Sequence, residues 1–198
     1  SHIILLFDNL YRIHNSNINI EKKIDIYLNY NDKIKNRIEH LYFKEIKDNN
    51  NIKNKICEYL GIYENKKMGK PGIIHGDAVL TNIFLCKYNN KEYLKFIDMR
   101  GKLGEENSIY GDIFYDYAKL YQSLIGYDFI FNNIPLDNKY VKNNIRIFSD
   151  LFIKKFGQEQ LFWIKKITAS LLYSMLPFHG NKEKRDKYLD LSLSLLYN

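Results

Sequence analysis

The chain has 198 residues, 45% of them hydrophobic and 27% charged, with a net charge of +7; at ~150 residues per domain this fits one domain with a modest extension, long enough to bury a core without staples. The composition excludes an intrinsically disordered polymer, a collagen-like repeat and a disulfide-dense miniprotein. Cys57 and Cys86 stand far apart without CxxC spacing and no apolar run approaches the ~18 residues of a membrane span, so a reducing, cytoplasmic setting without a membrane partner is the expectation.

Ile3, Leu6, Leu10 and Ile13 recur at spacings of three and four and predict a helix over 3–14, ended by the polar run at 14–17. Ile24, Tyr27, Leu28, Ile34, Ile38, Leu41 and Tyr42 continue the period over 21–47 with a break near 29–32, and Ile52, Ile56 and Leu60 predict a further helix before Gly61. Residues 1–62 therefore read as helical. The period then changes. The run Lys-Lys-Met-Gly-Lys-Pro-Gly at 66–72 is a cluster of helix breakers, and short apolar runs at 73–74, 83–88 and 93–97 predict strands. Asn89-Asn90-Lys91 between the last two suits a hairpin turn, because Asn tolerates positive φ. Residues 99–111, with three Gly and no clear period, predict a loop, which makes 63–111 a strand-and-loop insert. From 112 to 198 the pattern is helical again. Asp112 is placed to cap a helix that buries Phe114, Ala118, Tyr121 and Leu124 or Ile125, and three more stripes follow around Phe148, Ile167 and Leu191. The expected fold class is α+β, mainly α: one helical unit carrying a small β-hairpin insert.

The positive charge invites a nucleic-acid reading, but the sequence holds 27 Ile, 25 Lys and 23 Asn against 3 Ala and 5 Arg, the bias of AT-rich coding. Lysine enrichment then carries little functional information. Bidentate phosphate and base contacts favour Arg, and no Arg cluster is present, so nucleic acid is not an expected partner.

The chemistry concentrates in the insert. His75, Asp77 and Asn82 lie between two predicted strands, and Phe96-Ile97 is followed by a second acid, Asp98, at the end of a third. A carboxylate and an amide five positions apart on a loop can face a common centre, the acid accepting a hydroxyl proton and the amide oxygen ligating a cation. A second carboxylate at the end of a hairpin can hold Mg²⁺, a hard ion that keeps company with phosphates. These are the parts of a phosphoryl-transfer site, where positioning and charge neutralisation do most of the catalysis.

His75-Gly76-Asp77-Ala78-Val79-Leu80-Thr81-Asn82 resembles the HGDxxxxN catalytic loop of the aminoglycoside phosphotransferase and choline kinase superfamily. Phe96-Ile97-Asp98 resembles that family's metal-binding segment, and Gly111-Asp112-Ile113-Phe114-Tyr115-Asp116-Tyr117-Ala118 is similar to its GDxxYDxA helix start, in the same order. The form Ile97-Asp98-Met99-Arg100-Gly101 departs from the commoner metal segments and is similar to that of phosphotransferases of bacterial surface-polysaccharide clusters. More weakly, Leu6 to His14 and Leu176 to Leu195 resemble the flanking helices, so the likeness spans nearly the whole chain.

The resemblance implies a protein-kinase-like C-terminal lobe with Asp77 as catalytic base or hydroxyl-orienting acid, Asn82 and Asp98 as Mg²⁺ ligands and His75 bracing the loop. Asp112 and Asp116 would support the site structurally, as an N-cap and a buried hydrogen-bonded acid. Arg100 is a candidate contact to a phosphate or an acidic substrate, with an ion pair inside the loop as the alternative. The implied co-substrate is ATP with Mg²⁺, and the implied acceptor a hydroxyl of an amino alcohol, aminoglycoside or sugar. No Gly-rich loop and no strand Lys precede the first helix, so the nucleotide-clamping N-terminal lobe is expected to be absent from this chain, which alone would be inactive. A kinase-like binding or scaffold domain without catalysis is the alternative.

Overall fold

The computed structural model describes residues 2–17, 24–38, 43 and 45–198. It is α+β and mainly helical. Helix α1 (His2–His14) buries Ile3, Leu6, Phe7 and Leu10 and leaves Ile4 and Tyr11 outside, the one-sided stripe its spacing dictates. Residues 24–30 are non-helical, with a turn over 26–29, and do not form the first part of the helix predicted over 21–47. Asp25 gives a reason: its side chain accepts from Tyr27 N at 3.0 Å, a local bond that competes with the helical ladder. Helices α2 (Asn31–Ile38) and α3 (Asn49–Asn65) follow, while Leu41 and Tyr42 lie outside the described residues.

The centre of the molecule is α4 (Ile113–Leu124), in which Lys119 is the one residue not buried. A helix buried on nearly every side must be wrapped on nearly every side, its polar Asp116 and Ser123 included. Around it lie α1, α6 (Asn138–Phe156) and α7 (Gln158–Met175), with α8 (Lys182–Tyr197) outside α7 and the short α5 (Tyr127–Phe131) after α4. Phe7, Tyr117, Phe148, Phe152 and Phe156 knit α1, α4 and α6 together with ring centroids 4.9–5.6 Å apart. The helix ends are satisfied locally. Asp112, Asp137 and Asn181 accept backbone N–H bonds at the starts of α4, α6 and α8, and the Lys166 ammonium donates to Leu195 O and Leu196 O at the close of α8.

Three two-stranded antiparallel sheets interrupt the helices. Strands β2 (Ile83–Tyr88) and β3 (Lys91–Phe96) pair from Ile83↔Phe96 to Tyr88↔Lys91. Asn89 and Asn90, at φ 47° and 58°, make the two-residue turn with both φ positive, the geometry whose twist matches the strands. Strand β1 (Pro71–Ile73) pairs with β6 (Tyr110–Asp112), and β4 (Lys102–Leu103) with β5 (Glu106–Asn107). Residues 99–111 are therefore partly paired and not the loop their sequence predicts. Strands of two or three residues are too short to produce a period, and the β1–β6 pairing joins segments distant in sequence. Among the described residues no helix is long and apolar enough to cross a membrane.

Candidate functional site

The segment 75–82 enters the core from β1 and leaves through β2, and most of the backbone groups along it have a partner. Asp116, fully buried on α4, accepts from His75 N and Gly76 N, each at 2.8 Å, and from His14 Nε2 at 3.0 Å. Ser123, the penultimate residue of α4, accepts from Leu80 N at 2.9 Å. Arg100 N donates to His75 O at 2.9 Å, which lays the chain after Asp98 directly against the start of the loop. Gly76 makes that approach feasible: its φ is +81°, and a Cβ there would stand 2.8 Å from Arg100 Cβ.

His75 binds the two halves of the site to each other. Its Nε2 lies 2.9 Å from Ile97 O, so this nitrogen carries the proton and donates; Nδ1 then accepts from Asp77 N at 3.3 Å. One buried imidazole thus fixes both the residue before Asp98 and the backbone of Asp77. The hairpin completes the arrangement. Ile97 N donates to Asn82 O at 3.0 Å, one step past the Ile83↔Phe96 pair, so Asn82 and Asp98 emerge together at the open end of the β2–β3 ladder.

Asp77 and Asp98 line one cleft of about 410 Å³ together with Lys33, Arg37, Met99, Arg100 and Lys119. Asp77 is held by side chains on both oxygens: Lys119 Nζ lies 3.0 Å from Oδ1, and Asn82 Nδ2 donates to Oδ2 at 3.2 Å. Asp98 is exposed and adopts φ +61°, the left-handed region that Asp enters at some cost. A separate cavity of about 780 Å³ between α5, the segment after it and α8 shares no residue with this cleft.

The six aspartate, asparagine and histidine positions singled out from sequence fall into two groups. Asp77 and Asp98 line the cleft, and His75 and Asn82, which do not line it, are tied to them, His75 through Ile97 O and Asp77 N and Asn82 through the Asp77 carboxylate. Asp112 and Asp116 lie behind it: Asp112 caps α4 through Phe114 N at 3.1 Å and also accepts from Lys70 N at 2.9 Å and from the hydroxyls of Tyr30 and Tyr63, each at 2.7 Å. Burial pushes the Asp112 carboxyl up from the ordinary range, with these four donors pulling the other way. Arg100 reaches the cleft and donates to the Tyr115 hydroxyl at 3.3 Å.

Sequence reasoning missed Lys33, Arg37, Lys119 and Tyr115. Lys33 Nζ donates to the Tyr115 hydroxyl at 2.8 Å. Burial brings the Lys33 ammonium down to about 8. Burial alone would raise the Tyr115 phenol, but Lys33, Lys119 and Arg100 outweigh it and bring it to about 8 as well. Two signals were available: Lys33 and Arg37 are four apart on α2, hence on one face, and Lys119 is the sole cation in an otherwise buried helix.

The donor set at the open end of the hairpin is amide and carboxylate oxygen. No group of three His, Cys, Asp or Glu side chains suited to a metal occurs among the described residues. A cation held by Asn82 and Asp98 would therefore complete its shell with phosphate oxygens and water, the habit of Mg²⁺ rather than of a protein-caged metal. Comparison of the chain with known proteins returns no matching family model, curated relative or solved structure.

Proposed function

We propose that the cleft between the 75–82 loop and the segment after Asp98 is the metal, base and acceptor half of an Mg-ATP-dependent phosphotransferase acting on an alcohol hydroxyl of a small molecule, with the fold of a protein-kinase-like C-terminal lobe. The observation that supports it most is the coupling of Asp77, Asn82 and Asp98 through His75 and the end of the hairpin. A loop aspartate that merely turned the chain would need neither an amide on its own oxygen nor a second acid held beside it.

In this reading Asp77 takes or orients the proton of the attacking hydroxyl, while Lys119 and Asn82 hold its carboxylate in position. Asn82 Oδ1 and the Asp98 carboxylate hold the cation. When bound, Mg²⁺ supplies the charge that neutralises the nucleotide phosphates. His75 acts through the backbone and is not itself a base, since both ring nitrogens are engaged in holding the loops.

The test is a Mn²⁺ titration in the presence of ADP, followed by paramagnetic broadening of backbone amide signals. Broadening centred on residues 80–84 and 96–100, abolished in Asp98→Ala and retained in Asp77→Asn, is the expected result. Broadening elsewhere, or broadening that survives in Asp98→Ala, refutes the assignment. Where phosphoryl transfer is measured, Asp77→Asn should lower kcat by about 10²- to 10⁴-fold, the usual weight of a general base.

A further inference from the structure

Building on the phosphotransferase reading, we infer that the acceptor is an anionic alcohol, a small hydroxylated molecule bearing a phosphate or carboxylate, and not the cationic amino alcohol or aminoglycoside that the loop motif would suggest.

The argument rests on what surrounds Asp77. Four cations, Lys33, Arg37, Arg100 and Lys119, line the cleft against two acids, Asp77 and Asp98. They come from three separate elements: α2, the segment after β3, and α4. Lys119 pairs with Asp77 at 3.0 Å. The other three spend hydrogen bonds on neutral oxygens. Lys33 and Arg100 both donate to the Tyr115 hydroxyl, and Arg37 donates to Ser174 O at 3.2 Å while its guanidinium lies 4.8 Å from the Phe178 ring centroid.

Bringing like charges together in a half-buried cleft is unfavourable, and the cost is visible at Lys33. Burial lowers its pKa first, and Lys119 and Arg37 lower it further against the pull of Tyr115. Arg37 is lowered too, again by burial first. An anion placed among these groups relieves that repulsion, whereas a cation adds to it.

The cleft also continues in the right direction. A second space of about 410 Å³ shares Lys33, Arg37 and Arg100 with the first and is lined further by Leu28, Asn29 and Asn36, with no residue of the hairpin that follows Asn82 in its lining. It gives room for the body of a small polyol, with the cations at its junction with Asp77. Three acids, Asp32, Glu105 and Glu106, also line this second space; Asp32 lies 3.7 Å from Lys35 Nζ and Glu105 is engaged by Lys102 at 2.7 Å, so the net positive charge is concentrated in the part shared with the first cleft, beside Lys119. The arrangement selects an acceptor whose hydroxyl meets Asp77 while its charged group sits on Lys33, Arg37 and Arg100. Phosphate and carboxylate share this chemistry, planar or tetrahedral oxygens matched by the fork of an Arg.

The test measures binding to the 198-residue chain without nucleotide, by isothermal titration with inorganic phosphate, glycerol 3-phosphate, glycerate, glycerol and choline. Glycerol 3-phosphate or glycerate should bind at least about tenfold tighter than glycerol, and choline should not bind. The stronger of the two anions identifies the charged group. Lys33→Gln and Arg37→Gln should each weaken that anion by about fivefold or more, with the exposed Lys139→Gln as an unchanged control. Prior saturation with Mg-ADP should leave anion binding intact. Choline or glycerol binding as tightly as glycerol 3-phosphate overturns the inference, and so does displacement of the anion by Mg-ADP, which would make the cations a clamp for nucleotide phosphates. The wild-type ligand series decides the question even if a variant at Lys33 fails to fold. No transfer is read here, so failure of the phosphotransferase reading appears in the Mn²⁺ experiment and failure of the acceptor class in this one.

Discussion

Asp112 and Asp116 on one side of the His75 loop, and Asp77 and Asp98 on the other, are the same residue type put to opposite uses. The first pair is fully buried, and its partners are set by the fold: four donors converge on Asp112 and three on Asp116. The second pair opens to a cleft. The Asp77 carboxylate is held by the side chains of Lys119 and Asn82, and Asp98 stands exposed in a left-handed conformation. A buried acid saturated by rigid donors organises backbone; an acid with water on one side and movable partners on the other can exchange those partners for a ligand.

The sharpest way to break this contrast is to delete one acid from each side. Asp116→Ala leaves His75 N, Gly76 N and His14 Nε2 buried without acceptors, so urea unfolding should show a loss of about 3–5 kcal/mol. Asp77→Asn removes a partly exposed ion pair and should cost less than about 1 kcal/mol. Equal losses, or a larger loss at Asp77, would mean that both acids are structural and would remove the main physical argument for a functional cleft.

The tyrosines carry the same contrast into pH. Tyr30 and Tyr63 donate to Asp112, and burial together with that neighbouring carboxylate raises both phenols well above 10.0. Tyr115 is just as buried, but its neighbours are Lys33, Lys119 and Arg100, which bring it to about 8. Phenolate absorbance should therefore show one tyrosine ionising near pH 8 in the folded chain, a step missing from Tyr115→Phe. Tyr30 and Tyr63 behave the other way. Above the ordinary phenol value of 10.0 the unfolded chain releases protons that the folded chain keeps, so the unfolded state binds fewer. Unfolding free energy should then fall as pH rises past 10, by up to about 1.4 kcal/mol per pH unit for each of the two. A flat stability profile from pH 9 to 11 would contradict the assignment of these tyrosines to a proton-holding nest.

Much of the acid side of this comparison was legible in the sequence, and almost none of the cation side. His75, Asp77, Asn82 and Asp98 stand out because polar residues between strand-forming runs have no packing reason to be there. The hairpin was readable from Asn89 and Asn90, whose tolerance of positive φ is a local property of the residues. Strands β4, β5 and β6 were not readable, since each is too short to show alternation. Lys33 and Arg37 were hidden differently. In a chain with 25 Lys, a polar helix face reading Asn-Asp-Lys-Ile-Lys-Asn-Arg looks like solvated surface, and only the fold turns that face toward Asp77. Discounting lysine as a coding bias was sound for the total charge and misleading for these positions, because bias sets how many lysines there are and not which of them converge.

The smallest effect separates stability from function at a single atom position. Asp98 sits at φ +61°, where a side chain crowds its own backbone, and being exposed it gains little packing in return. Glycine at this point removes the crowding but also enlarges the freedom of the unfolded chain, and the two terms partly cancel. Asp98→Gly should therefore be neutral to stabilising, by about 0.5 kcal/mol, in a denaturant titration. In the same variant the Mn²⁺ broadening around residues 80–84 and 96–100 should vanish, since a carboxylate oxygen is gone and glycine offers none. A more stable protein that no longer holds the cation would mean that the backbone cost at Asp98 is kept for the ligand it presents. Should Asp98→Gly instead lose more than about 1 kcal/mol, the carboxylate is bracing the segment after β3, and Asp98 belongs with Asp112 and Asp116.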